Sequence, residues 1–110
     1  MIKRVVCVAI CMTLSACAKT PSNTYTIANI PEASGIDYCK NTQTLMVAND
    51  EGSFYEITLE GRVVKQHKLG KYDLEGVVCH EGEVVFAVEK GALLVVDRET
   101  LKSRELKLKG

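Results

Sequence analysis

The sequence predicts an all-β fold: two four-stranded antiparallel propeller-type blades, a partial β-propeller, behind an N-terminal signal segment. Three observations carry this. First, the chain repeats itself: "ASGIDYC" (33–39) overlies "LEGVVCH" (74–80), and "TLMVANDEGSFYEIT" (44–58) overlies "EVVFAVEKGALLVVD" (83–97), with Gly52 over Gly91. "VVKQHKL" (63–69) likewise overlies "SRELKLK" (103–109). A period of about 40 to 50 residues built from short strands marks propeller blades. Second, "VVFAV" (84–88) and "ALLVV" (92–96) are unbroken apolar runs, as expected of strands covered on both faces. Third, the last strand of each unit is interspersed with charge, as an edge strand is. Buried middle strands with a charged outermost one suit a blade wedged between neighbours.

Taken in order, residues 1–16 read as a signal peptide. Lys3 and Arg4 form its basic start, and Val5 to Leu14 its apolar run, too short to cross a bilayer of roughly 30 Å as a helix. Residues 17–23 form a short linker and 24–110 the propeller domain, with repeats at about 31–70 and 71–110. The second repeat reads as strands over Leu74–Cys79, Val84–Val88, Ala92–Asp97 and Ser103–Leu108, at the spacing of about 8 to 12 residues expected of all-β proteins. "TYTIANI" (24–30) reads as an outer strand donated to another blade. Beyond the signal, no segment holds a helical period for three turns.

The signal closes on "LSAC", which resembles the bacterial lipobox. That resemblance implies that Cys17 becomes the acylated first residue of the mature chain. The membrane is then a partner through a lipid anchor, and Ala18 after the cysteine implies the outer membrane of the cell envelope, facing the periplasm. Without Lys3 and Arg4 the remaining 94 residues carry 12 basic against 14 acidic side chains, a formal charge of −2. The basic footprint of a nucleic-acid binder is missing, so no nucleic-acid partner is expected. Cys39 and Cys79 are the cysteines left beyond Cys17. Export permits a bridge between them, but they sit at nearly equivalent places after the first strand of each unit. The reading favours two buried free thiols.

Ser34–Gly35, the "VAND" strand end at Asn49–Asp50, the "LEG" hairpin at Glu60–Gly61 and "DLEGV" at Asp73 to Val77 follow one another in a recognisable order. In that order they resemble the opening blades of the SdiA-regulated family of bacterial exported β-propellers. The resemblance runs from residue 24 to about 110 and implies an envelope lipoprotein. Members of that family are longer and have more blades; propellers close with about 4 to 8, so the resemblance implies a shortened member. Self-association, or a protein partner, is expected to cover the blade faces left exposed.

Propeller topology gathers Glu32, Ser34, Asp73 and Glu75 with Asn49, Asp50, Glu51 and Glu89 on one rim, with Ser34 and Glu75 facing the channel. Calcium takes about 6 to 8 oxygen ligands, so Glu75, Asp73, Ser34, Glu32 and Asn49 are the candidate metal set. The alternative is structural: carboxylates beside a glycine accept backbone N–H bonds and cap turns. No catalytic residue is expected. Ser34 lacks the G-x-S-x-G elbow, and no phosphate-binding glycine loop occurs. The reading therefore favours a binding or scaffold module over its rival, a calcium-dependent ester or lactone hydrolase of the six-bladed propeller type.

Overall fold

The computed structural model describes residues 26–109. The signal at 1–16, Cys17, the rest of the linker to 23, and residues 24 and 25 lie outside the described residues. Among the described residues eight strands form two sheets: β1 (Ala33–Cys39), β2 (Thr44–Asn49), β3 (Ser53–Thr58) and β4 (Val63–Lys68) make blade 1. β5 (Leu74–His80), β6 (Glu83–Val88), β7 (Ala92–Asp97) and β8 (Ser103–Lys107) make blade 2. Each is an antiparallel meander with strands in sequence order. The four expected strands of the second repeat are present within a residue of their bounds. There is no helix among the described residues.

The repeat extends to irregularities. A bulge interrupts β1 between Ala33 and Gly35 and β5 between Leu74 and Gly76. Side chains alternate between the two faces of a strand, so pairing assigns each residue a side. In blade 1, Met46 opposes Glu56 and Ala48 opposes Phe54 on what we term the leading face. Leu45, Val47, Tyr55 and Ile57 lie on the trailing face. In blade 2, Val85, Ala87, Leu93 and Val95 form the leading face, and Val84, Phe86, Leu94 and Val96 the trailing one.

The leading face of blade 1 packs on the trailing face of blade 2. Cys39, Met46, Ala48 and Phe54 join Leu74, Val84, Phe86, Leu94 and Val96 in one buried cluster. The rings of Phe54 and Phe86 meet with centroids 5.2 Å apart. The linker between the blades closes the joint, because Leu69 and Tyr72 pack against the same cluster. The first strands approach so closely that a Cβ on Gly35 would stand 3.2 Å from the Cα of Gly76. A self-contained sandwich has one core, between its sheets. Here blade 1 has a second core on its trailing face, where Val47, Tyr55 and Ile57 gather Ala28 and Ile30.

That second core corrects one expectation. Residues 26–30 carry no strand; they lie across the trailing face of blade 1. An outer strand needs a free edge to pair with, and here apolar Ala28 and Ile30 bury against a sheet face instead. The backbone of Ile27 passes close enough to Gly61, at φ 95°, that no side chain could replace that glycine unchanged.

A second correction concerns the cysteines. Cys39 and Cys79 form a disulfide, with Cα atoms 5.3 Å apart, and are not free thiols. Cys39 opposes Thr44 at the end of β1, whereas Cys79 opposes Val84, one position before the end of β5. By register the counterpart of Cys39 is His80, so the two cysteines are one residue out of equivalence. One residue reverses the side of a strand. Cys39 therefore points from the leading face of blade 1 towards Cys79 on the trailing face of blade 2. The bridge closes a loop of 40 residues. Replacing both cysteines by alanine is expected to lower the unfolding free energy by about 2–4 kcal/mol. Urea denaturation of a variant with unchanged β-sheet circular dichroism measures this; an unaltered midpoint would show that the bridge contributes nothing.

Candidate functional site

The two ends of the inter-blade joint differ in chemistry. At one end stand the entrances of β1 and β5 and the β2–β3 and β6–β7 turns, the rim expected from topology. Matching backbone bonds tie each blade there: the amide of Asp50 donates to the carbonyl of Glu32, and that of Glu89 to Asp73, both at 3.0 Å. Asp73, Glu75 and Glu89 each offer a carboxylate oxygen, and the three oxygens lie within 4.8 Å of one another. Theirs is the sole such acidic group among the described residues.

The other three candidate residues are placed differently. The Ser34 hydroxyl donates to the carbonyl of Leu74 in the next blade and lies 3.3 Å from that of Ala48. Asn49, buried at 2 % exposure, accepts the amides of Glu51 at 3.1 Å and Ser53 at 2.8 Å through Oδ1. It thereby caps the β2–β3 turn. Glu32 is exposed, with φ 53°, and its carboxylate is outside the cluster. The rim is shared between a three-carboxylate group on blade 2 and turn-holding residues on blade 1.

At the opposite end lies a polar clasp that the sequence reading missed. Arg98 begins the β7–β8 turn, and its guanidinium reaches across to blade 1. Nη2 donates to Glu56 Oε2 at 2.9 Å and Thr42 Oγ1 at 3.0 Å. Nη1 donates to Asn41 Oδ1 at 3.2 Å and the Glu81 carbonyl at 3.1 Å, and lies 3.5 Å from Cys79 Sγ. Glu56 also accepts the hydroxyl of Thr44 at 2.6 Å, and Lys65 donates to the carbonyl of Arg98 at 2.9 Å. Both members of the ion pair are nearly buried, with side chains 11 % and 8 % exposed. The preceding residue, Asp97, holds the same turn by accepting the amides of Thr100 and Glu99. Those backbone bonds keep its carboxyl below the ordinary aspartate range. Repeat comparison carried a signal for the clasp. Glu56 is the lone charged residue in "SFYEIT", and it overlies Val95 in the second unit.

No hydrolytic arrangement forms among the described residues. The Ser34 hydroxyl is engaged with backbone carbonyls, His67 on β4 packs edge-on against Phe54, and His80 sits at the far end of β5.

No family model matches the chain, and no curated protein matches it. Solved structures do. KlHsv2 with loop 6CD replaced by a Gly-Ser linker superposes with a TM-score of 0.56 at 14 % identity, covering 71 % of this chain and 27 % of that one. Kluyvelomyces marxianus Hsv2 gives 0.55 at 13 %, covering 72 % and 25 %. The β-propeller domain of Myceliophteria thermophila Cps50 (Swd1) gives 0.52 at 11 %, covering 69 % and 25 %. At such identities the likeness shows the fold alone. The chain spans about a quarter of each propeller it matches; its two sheets are propeller blades.

The clasp yields a prediction. Removing one partner of a buried ion pair leaves an uncompensated charge and costs about 3–5 kcal/mol. Arg98→Met alone is therefore expected to destabilise strongly, while Arg98→Met with Glu56→Leu recovers most of the loss. Denaturation midpoints of the two variants decide, and equal losses would deny the coupling.

Proposed function

We propose that this chain is a propeller-type scaffold or binding module of the bacterial cell envelope, of the SdiA-regulated type, held at the membrane by acyl chains on Cys17. The observation that carries the scaffold reading is the leading face of blade 2. On it Val78 is 56 % and Leu106 43 % exposed, Val85, Ala87 and Leu93 are partly exposed, and Val95 is buried. A contiguous apolar surface of this kind marks a protein-interaction site. The Cys39–Cys79 bridge supports export, since disulfides persist in oxidising compartments. The lipobox-like "LSAC" supports the anchor, and the outer membrane facing the periplasm is the location it implies. Expressed in a bacterium, the full chain is expected to sediment with membranes and partition into detergent. Cys17→Ser is expected to move it to the soluble fraction; equal partitioning would remove the anchor.

The rim supports a second reading, calcium binding by Asp73 and Glu75 with Glu89. Oxygens bound to one Ca²⁺ at about 2.3–2.6 Å stand no more than about 5 Å apart, and these three already do. A cation there would relieve the repulsion among three carboxylates. Millimolar calcium is expected to raise the thermal midpoint by several degrees, and Glu75→Gln to abolish that rise. An equal rise with magnesium or with sodium at matched ionic strength would identify mere screening. Of the two readings, the scaffold depends on the sheet faces and calcium on the rim alone.

A further inference from the structure

We propose that the cavity beside the Arg98 clasp is a binding site for a primary ammonium, carried by a small aliphatic diamine, with Oε1 of Glu56 as its anchor. This goes beyond the scaffold and calcium readings. It draws on neither the leading face of blade 2, nor the rim, nor the lipid anchor.

The cavity, of about 430 Å³, opens at the clasp end of the joint. Its wall draws on β3 and β4 of blade 1, the end of β7, and the β1–β2, β5–β6 and β7–β8 turns. Glu56 lines it with a side chain only 8 % exposed. Both described bonds to that carboxylate, from the Thr44 hydroxyl at 2.6 Å and Arg98 Nη2 at 2.9 Å, fall on Oε2. Oε1 accepts none among the described residues. Buried carboxylate oxygens ordinarily have a partner, because one without it has lost its water for nothing in return. The joint thus holds an acceptor that no described residue fills.

The charge around that acceptor selects its donor. Glu56, Glu81, Asp97 and Glu99 line the cavity against Lys65 and Arg98, four carboxylates to two cations, a formal charge of −2. Both cations are committed: Arg98 to Glu56, Thr42, Asn41 and the Glu81 carbonyl, and Lys65 to the Arg98 carbonyl. A water could donate to Oε1 but would leave the surplus of carboxylates uncompensated. A cation answers both needs.

The geometry narrows the kind of cation. A calcium ion needs its oxygens within about 5 Å of one another, and the three acids that meet this condition are Asp73, Glu75 and Glu89 at the rim, not those of the clasp. A guanidinium binds through a fork that takes two carboxylate oxygens, and Oε2 is already taken. A compact ammonium with three rotatable donors needs only one. A quaternary ammonium has no N–H and is held by aromatic faces; no aromatic side chain among the described residues lines the cavity. Glu81, Asp97 and Glu99 are exposed, so a second ammonium a few carbons from the first meets carboxylates at the mouth. That favours a diamine over a monoamine. Glu56 and Arg98 keep their pairing throughout. The ligand takes the remaining lone pairs, and by binding only the assembled joint it stabilises it.

The test uses the full chain with Cys17→Ser, labelled with ¹⁵N, and 1,5-diaminopentane at fixed ionic strength. Saturable amide shifts are expected at Thr42, Glu56, Arg98 and Glu99, with a dissociation constant in the millimolar range or tighter and a raised thermal midpoint. The bis-quaternary hexamethyl analogue, of equal charge but without N–H, is expected to leave those amides unmoved. Glu56→Gln is expected to weaken diamine binding about tenfold. If that variant fails to fold, Glu99→Lys gives the second reading, since its own ammonium at the mouth competes with the ligand and is expected to weaken binding by a similar factor. Circular dichroism checks that each variant keeps its sheets. No saturable shift, equal shifts from the bis-quaternary analogue, shifts confined to the rim, or binding indifferent to the folded variant would each overturn the inference while leaving the anchor test unaffected.

Discussion

Blade 1 and blade 2 are held by the burial of Met46, Phe54, Leu74, Val84, Phe86, Leu94 and Val96 at one joint, and the remaining features take their positions from it. Each such side chain contributes about 1.5–3 kcal/mol when fully buried. The Glu56–Arg98 pair is a different kind of term, because desolvating two charges offsets most of their attraction. The apolar contact therefore supplies the stability and the ion pair supplies register. A blade that slid or rotated against its neighbour would keep much of the first and lose the second.

This division accounts for the chemistry at the two ends of the joint. At the clasp end, charge is paired, buried and cross-linked, with Cys79 3.5 Å from the same guanidinium that holds Glu56. At the rim the carboxylates of Asp73, Glu75 and Glu89 are clustered together. Repulsion there is tolerable because the backbone does the holding: Asp50 to Glu32 and Glu89 to Asp73 are main-chain bonds that no side-chain charge can weaken directly. The rim is thus free to carry charge for a purpose other than stability, whereas the clasp is not.

Strands and their order were legible because they follow from period and topology. "ASGIDYC" over "LEGVVCH" and the later match over 83–97 coincide with the observed registers, including the shorter turn after β5. What failed was decided by single residues. The cysteines look equivalent at a separation of 40, but the first strands repeat at 41, and that one residue sets them face to face. Arg98 was invisible because it lies in a turn and its partner is 42 positions away. Of the rim residues, Ser34 and Asn49 carried the right polarity for a ligand. Nothing in the sequence said that neighbouring backbone groups would engage them first.

A repeat protein whose joints were all alike could not order its blades, since any leading face would accept any trailing face. Here the internal joint is marked. Placed against the Arg98-bearing face of blade 2, the Val95 face would leave a guanidinium buried without its carboxylate. Placed against the Leu59 side of blade 1, the Glu56 face would bury a lone carboxylate. Either error costs several kcal/mol, which exceeds what one well-packed apolar side chain contributes. Discrimination by penalising the wrong partner is often stronger than discrimination by rewarding the right one. The disulfide then makes the correct joint permanent. Blade 1 is thereby committed to blade 2 by its leading face, while Ala28 and Ile30 close over its trailing face.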